Sequence, residues 1–427
     1  MDKNSLLEAK QVWKGRIALI TLLGMLIGML CARFVASLSM ILFGLNALWD
    51  IHPRYWLRQR WWLFGLGWVA VYALSALWSS NTEEWFAHLQ VKFPFLFMPL
   101  AFAFLPRFSP RQLRLSTWCL VVVMCAGAAY SMSFLWRDAT ALIEGYKFAQ
   151  VLPTPFYNDH IAFSSGVALT IAWTIFYLPY MGKRLPRMLL GVLVFFLAIY
   201  LHVLAAKTGL IALYILLAGV ITYYMIRAPR KGVLLLLALA ALSSIAYLSL
   251  PTLRERAGYT MVTWRSYVMG ERHGIYSDAG RVISYDLACK SIAAHPLTGV
   301  GAGDVLDEMK QGYSRWYPAV SEAQQLWPHN QFLTTAMAVG IPGALLFTIW
   351  IAAPLRRVRR DRTGFYFILV WLMLLVPLMV DLFLEVQMGV GVYLIFLLWQ
   401  RKMMSDLYAG EDAGKSIPVD ARQRCNS

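Results

Sequence analysis

The segment RMLLGVLVFFLAIYLHVLAAKTGLIALYILLAGVITYYMIRAPRKGVLLLLALAALSSIAYLSL, Arg187–Leu250, decides the fold. It holds apolar runs near 187–205, 209–226 and 232–250, separated by the turn Ala206–Thr208 and by a basic connection with Arg227, Arg230 and Lys231. A helix needs about 20 residues to cross a hydrocarbon layer of roughly 30 Å, and each run has that length to within a turn. The runs lack the apolar–polar alternation of a membrane barrel strand. A helix also satisfies all its backbone donors and acceptors internally, as hydrocarbon requires.

The pattern extends outward in both directions. Further spans are predicted near 17–30, 33–49, 61–79, 91–105, 115–135 and 161–180, and near 331–353, 364–384 and 388–400. Of 427 residues, 59% are hydrophobic and 15% charged, which is more apolar surface than a soluble core of this size buries, so lipid must be the solvent. The formal net charge of +16 would suggest nucleic acid in a soluble protein; here the basic residues mark sidedness, and no nucleic-acid partner is expected. They occupy every second connection: Lys3, Lys10, Lys14 and Arg16; Arg54, Arg58 and Arg60; Arg107, Arg111 and Arg114; Lys183, Arg184 and Arg187; Arg227, Arg230 and Lys231; Arg356, Arg357, Arg359, Arg360 and Arg362; Arg401 and Lys402.

Positive connections stay in the cytoplasm, so an even number of spans places both termini there. The expected class is all-α: a polytopic inner-membrane protein of about 12 transmembrane helices. Spans 1–9 fall in residues 1–250, a large outward helical loop in 251–330, spans 10–12 in 331–400 and a cytoplasmic polar tail in 401–427. Pro94 and Pro99 interrupt the fourth span, and the first apolar run lacks a small-residue cleavage site, so it reads as a retained helix. Cys31, Cys119, Cys125, Cys289 and Cys425 show neither metal-ligand spacing nor a pairing framework.

The outward loop breaks the charge rule with Arg254, Arg256, Arg265, Arg272, Arg281, Lys290, Lys310 and Arg315. A polyanionic ligand would explain them. His88, His160, His202, His273, His295 and His329 also fall in or near outward segments, so any chemistry belongs outside. Ser277 or Asp278 can cap a helix over about 281–294, ended by Pro296 and the turn Gly299, Gly301, Gly303. Val282, Tyr285, Ala288 and Ile292 share one predicted apolar face.

Arg281 in the first turn opposes the helix dipole and invites a shared anion; a solvated arginine is the plainer alternative. The glycine turn lacks a preceding strand and the G-x-G-x-x-G register, so it reads as a turn and not a nucleotide loop. His329 stands at the membrane surface beside Asn330, just before the tenth span. An imidazole there can accept a proton near neutral pH, or serve simply as an interfacial anchor. Lys207 can reach a lipid phosphate or snorkel harmlessly. Asp381 and Glu385 lie at the outer end of the eleventh span, where Asp381 is a possible orienting acid for the histidine.

The stretch Arg281-VISYDLACKSIAA-His295-Pro296-Leu297-Thr298-Gly299-Val300-Gly301-Ala302-Gly303, followed by His329-Asn330-Gln331-Phe332-Leu333 and Gly340-Ile341-Pro342-Gly343, resembles the signature region of O-antigen ligases and polymerases. The resemblance covers roughly residues 150–400. It implies a GT-C-like membrane fold with a periplasmic active site, in which Arg281 binds the donor's pyrophosphate and His329 activates the acceptor hydroxyl. It further implies substrate- or pyrophosphate-binding roles for Arg265, Lys207, Asn330, His295, His160 and Asn158. Lys207 stands where the family usually has arginine, which keeps the charge but loses the bidentate fork; Tyr285 stands where tryptophan is frequent.

The partners implied are an undecaprenyl-pyrophosphate-linked glycan, lipid A-core and membrane lipids. The single large outer loop favours a ligase over a polymerase or a protein O-oligosaccharyltransferase. No D-x-D occurs, and the first outer turn, Cys31 to Arg33, holds no acid, so no cofactor and a metal-independent, inverting transfer are expected. A transporter is the rival from another class, but no repeated halves are apparent and the polar residues concentrate outside the membrane centre.

Overall fold

A computed structural model describes residues 3–50, 61–148, 150–156, 158–269 and 278–415. Among them there is no strand. The helices are α1 (Lys3–Cys31), α2 (Arg33–Ala47), α3 (Trp62–Leu74), α4 (Thr82–Lys92), α5 (Pro94–Ala103), α6 (Pro110–Ser133), α7 (Ala139–Gly145), α8 (His160–Tyr177) and α9 (Arg184–Leu204). They continue with α10 (Lys207–Arg227), α11 (Pro229–Ser249), α12 (Pro251–Val268), α13 (Asp278–Ala294), α14 (Val305–Trp316), α15 (Gln331–Ala352), α16 (Arg362–Val380) and α17 (Gln387–Lys415).

Nine helical segments among the described residues are long and apolar enough to cross a membrane, and two shorter apolar helices span Arg33–Ala47 and Trp62–Leu77. The chain is therefore a multi-pass helical membrane protein. The last expected span forms the start of α17, which runs on to Lys415 where a polar tail was expected. His52, Arg54, Arg58, Arg60, Arg272, His273, Ser277, Arg422, Arg424 and Cys425 lie outside the described residues.

Burial follows lipid as solvent. Helix α8 is apolar all round and buried on nearly every side, packed by α6, α9, α10, α16 and α17. Helix α11 is equally apolar, but Gly232 is its one buried residue, and Leu234, Leu237 and Leu248 are exposed. A helix hydrophobic on all faces is stable when protein or lipid covers it; α8 is the first case and α11 the second.

The fourth span begins earlier than expected. Helix α4 starts at Thr82, capped by the Asn81 side chain accepting from Glu84 N, and α5 follows after Phe93 with Pro94 at its first position. Proline there loses no helical hydrogen bond, so Thr82–Ala103 forms one span where a loop was expected at 80–90. The consequence is that His88 and Lys92 sit on a helix at the end of the span.

The region expected to face outward folds into α12, α13 and α14, and its glycine turn docks into a break in α15. Pro342 lacks an N–H and crowds the preceding turn, and α15 is non-helical at Val339 and Gly340. Backbone N–H groups of Val300 and Gly301 donate to the carbonyls of Met337 and Ala338 at 2.8 and 3.1 Å, while Ile341 N donates to Pro296 O at 2.8 Å. Asp304 accepts from Ser80 N and Asn81 N at 2.7 and 2.9 Å, tying the turn to the start of α4. The turn is thus a structural clasp that fixes α15, the helix His329 introduces.

Gly340 is indispensable to it: φ is +74°, and a Cβ there would meet Leu297 O at 2.2 Å. Gly340→Ala is expected to destabilise the protein by about 1–3 kcal/mol through backbone strain alone, with the added clash deepening the loss. Thermal unfolding in detergent checks this; an unchanged midpoint would mean the clasp carries no load.

Candidate active site at one end of the helices

Residues from four segments distant in sequence meet at the N-terminal end of α15. Asn330 caps that helix, its Oδ1 accepting from Phe332 N and Leu333 N at 2.9 and 3.2 Å and its Nδ2 donating to Met379 O at 3.1 Å. The amide expected to touch substrate is thus committed to building the site. Immediately before it, His329 has φ +23°, a backbone conformation that costs energy for a side-chain-bearing residue and persists only where its surroundings over-determine it.

The surroundings do so. His329 Nδ1 lies 2.9 Å from Asp381 Oδ1, and the Tyr285 hydroxyl lies 3.0 Å from His329 O and 3.2 Å from Met379 O, with one hydrogen to donate between them. A carboxylate accepts and does not donate, so the ring hydrogen belongs on Nδ1 and Nε2 is left as the acceptor. The imidazole is half-buried, 22% exposed, enough to meet a substrate.

Arg281 lies in the first turn of α13, one turn before Tyr285, about 6 Å along the axis and on the same face. Together with Arg256 of α12 and Asp381 it lies within electrostatic reach of His160, the first residue of α8. Asp159, which caps α8 by accepting from Ala162 N at 2.8 Å, feels both Asp381 and Arg33. Burial, reinforced by the like charge of Asp381, pushes the Asp159 carboxyl up to about 6, so mild acidification removes one negative charge from the rim. The arrangement is an imidazole oriented by a carboxylate, and the same carboxylate acts on His160, which Arg256 and Arg281 also reach, and on Asp159, which Arg33 reaches.

Not every expected residue joins this cluster. Arg265 is exposed; nine residues after Arg256 at 3.6 residues per turn puts it about half a turn round α12, on the opposite face. Arg256, and not Arg265, is the arginine of α12 that reaches His160 electrostatically. His295 is exposed at the far end of α13, roughly 21 Å along the axis from Arg281, and lines a separate depression with Trp78, Asp304 and Asp307. Asn158, at φ +65°, accepts from Thr154 N at 3.0 Å and lines a neighbouring groove with Tyr130 and Phe156. Lys207 begins α10 and heads an apolar groove with Leu210, Ile211 and Tyr214. On α13 the buried stripe is Ile283, Ser284, Leu287, Ala288 and Ser291, with Val282, Tyr285 and Ile292 on its flanks, a rotation of about one residue from the expected face.

A buried charged network braces the site from behind. Glu385 Oε2 accepts from Lys92 Nζ at 2.6 Å and lies 2.8 Å from His88 Nδ1. Its Oε1 accepts from Gln331 Nε2 at 2.8 Å, and Gln331 Oε1 accepts from Leu384 N at 2.8 Å. Burial alone would push the Glu385 carboxyl up, but the Lys92 charge and the His88 contact outweigh it and hold it well below the usual carboxylate range. Because Gln331 follows His329 by two residues and Glu385 follows Asp381 by four, this network fixes the two segments that carry the His329–Asp381 pair. Sequence reading named Glu385 and His88 but gave no sign that Lys92 joins them.

A family model described as O-antigen ligase matches residues 192–348, a stretch that includes Arg256, Arg281, Tyr285 and His329. No curated protein matches the chain.

Proposed function

We propose that this chain, which carries the O-antigen ligase family domain at residues 192–348, transfers a glycan from an undecaprenyl-pyrophosphate donor to a sugar hydroxyl of lipid A-core at the outer face of the bacterial inner membrane. The observation that carries the reading is the His329–Asp381 pair at 2.9 Å, whose carboxylate lies, with Arg281 and Arg256, within electrostatic reach of His160. The tendency of positive connections to stay in the cytoplasm supports both termini inside and this cluster in the periplasm.

The donor is already energised, so the chemical difficulty is a pyrophosphate that gains negative charge as it leaves. Arg281 and Arg256, aided by Arg33, hold that charge, and fixed cations next to low-dielectric lipid stabilise it strongly. The acceptor oxygen attacks the anomeric carbon as the bond from that carbon to the phosphate oxygen breaks. The electron pair of the broken bond leaves with undecaprenyl pyrophosphate, and the acceptor proton passes to His329 Nε2. Asp381 then stabilises the imidazolium through Nδ1–H, the orienting role a carboxylate plays beside a basic histidine. A single displacement inverts the anomeric centre, and no step calls for a metal.

Purified protein given undecaprenyl-pyrophosphate glycan and rough lipopolysaccharide is expected to produce capped lipopolysaccharide, and to do so at the same rate in EDTA. Lengthening of the donor with no capping would instead make it a polymerase. Loss of transfer in EDTA with recovery on adding Mg²⁺ or Mn²⁺ would overturn the metal-independent step.

A further inference from the structure

A second polar cavity lies at the other end of the same helices. It has a volume of about 470 Å³ and is lined by Arg107, Arg359, Arg401 and Lys402, with Asp406 the one acidic residue in its wall. Four cations against one carboxylate leave a formal excess of three positive charges. Apart from Ser405, the remaining wall is apolar or aromatic and includes Phe102, Leu398 and Trp61. Arg359 follows the end of α15 and precedes α16, whereas His329 precedes α15 and Asp381 follows α16. The length of α16, about 29 Å for its 19 residues, therefore separates this cavity from the site above.

Two of the cations are held in place by ring contacts. Arg401 lies over the Trp61 ring at 4.8 Å and Arg359 over the Tyr408 ring at 4.2 Å. A ring contact fixes the plane of a guanidinium, and N–H donors along its edge suit phosphate oxygens; one of those of Arg401, Nη1, donates to Pro354 O at 3.4 Å. Lys402 donates to Asp406 Oδ1 at 2.7 Å, and the other carboxylate oxygen, Oδ2, is buried with no hydrogen-bond partner. The Asp406 side chain is nevertheless 17% exposed, and a carboxylate oxygen accepts more than one hydrogen bond, so the cavity suits a ligand that brings a donor as well as negative charge.

We propose that this cavity binds the headgroup of an anionic glycerophospholipid of the inner leaflet, its phosphodiester on Arg107, Arg359, Arg401 and Lys402 and a headgroup hydroxyl on Asp406. Basic pockets between helices on the cytoplasmic side are suited to such heads, and the apolar wall accommodates the start of the acyl chains. The assignment does not depend on the glycan chemistry at the other end.

Phosphatidylglycerol supplies both the charge and the hydroxyls, whereas phosphatidylcholine supplies neither net charge nor a donor. Full-length protein in detergent, incubated with each lipid and weighed by native mass spectrometry, is expected to retain phosphatidylglycerol at least tenfold more than phosphatidylcholine. Arg401→Gln with Lys402→Gln should abolish that preference, and Arg359→Gln alone should reduce it. Inorganic phosphate at the same concentration should not displace the lipid. Equal retention of the two lipids by the unaltered protein overturns the proposal without recourse to any variant. So does a preference that survives both substitution sets, and displacement by inorganic phosphate would reassign the cavity to a free anion.

Discussion

His329→Ala is expected to slow glycan transfer by about 10²- to 10⁴-fold, the span typical for loss of a positioned general base, while the protein stays folded in detergent. The fold should survive because the side chain makes one polar contact, to Asp381, whereas the cap of α15 belongs to Asn330. Alanine even relieves nothing essential, since the φ of +23° is imposed by the neighbours and remains. Asp381→Asn should lower the rate by a comparable factor, since an amide that presents its NH₂ to Nδ1 leaves the ring hydrogen on Nε2, the wrong tautomer for the base. Rates of capped lipopolysaccharide formation, with size-exclusion profiles as the folding control, check both. An alanine variant as active as the unaltered protein would remove His329 from the chemistry.

The largest effect on stability is expected at Lys92. Its ammonium is fully buried, 0% exposed, and meets a Glu385 carboxylate that is 5% exposed. Lys92→Met leaves that carboxylate buried with His88, itself 14% exposed, and the neutral Gln331 and Tyr72 as its partners. Removing one member of a buried ion pair typically costs about 3–5 kcal/mol. Converting the survivor to a neutral isostere, Glu385→Gln in the Lys92→Met background, should recover much of the loss, because the orphaned charge is gone. Chemical unfolding of the two single variants and the double variant reads the coupling directly; additive losses would mean that the pair does not act as a unit.

What the sequence makes legible is what lipid enforces. Apolar runs such as Val192–Leu204 and Leu234–Leu242 have no stable conformation in hydrocarbon other than helix, and basic residues fall in alternate connections. The start of α4 was hidden because Glu83, Glu84, His88 and Lys92 read as loop chemistry. They are helical because Asn81 caps them and because Glu385, nearly three hundred residues later, meets Lys92 and His88. No local pattern encodes such a pairing.

The candidate site divides the same way. Arg281 and His329 were visible through local grammar: a cation in a first helical turn and a titratable ring before an apolar helix. Choosing between Arg256 and Arg265 required knowing which face of α12 turns inward, and α12 is polar enough that its sequence does not say. The commitment of Asn330 to capping and of Asn158 to its own turn likewise depends on backbone geometry, as does the separation of His295 from Arg281 by the length of α13. The glycine turn read correctly as a turn, but its partner, the break at Gly340, could be seen only once Pro342 was placed in α15.

The most direct test separates holding the diphosphate from moving the proton. Affinity for undecaprenyl pyrophosphate would be measured on one set of preparations of the unaltered protein, Arg281→Gln and His329→Ala. The account predicts binding at least tenfold weaker for Arg281→Gln, roughly one hydrogen-bonded charge of about 1.5–3 kcal/mol, and binding within twofold of normal for His329→Ala. Full affinity in Arg281→Gln, or a loss confined to His329→Ala, would contradict it.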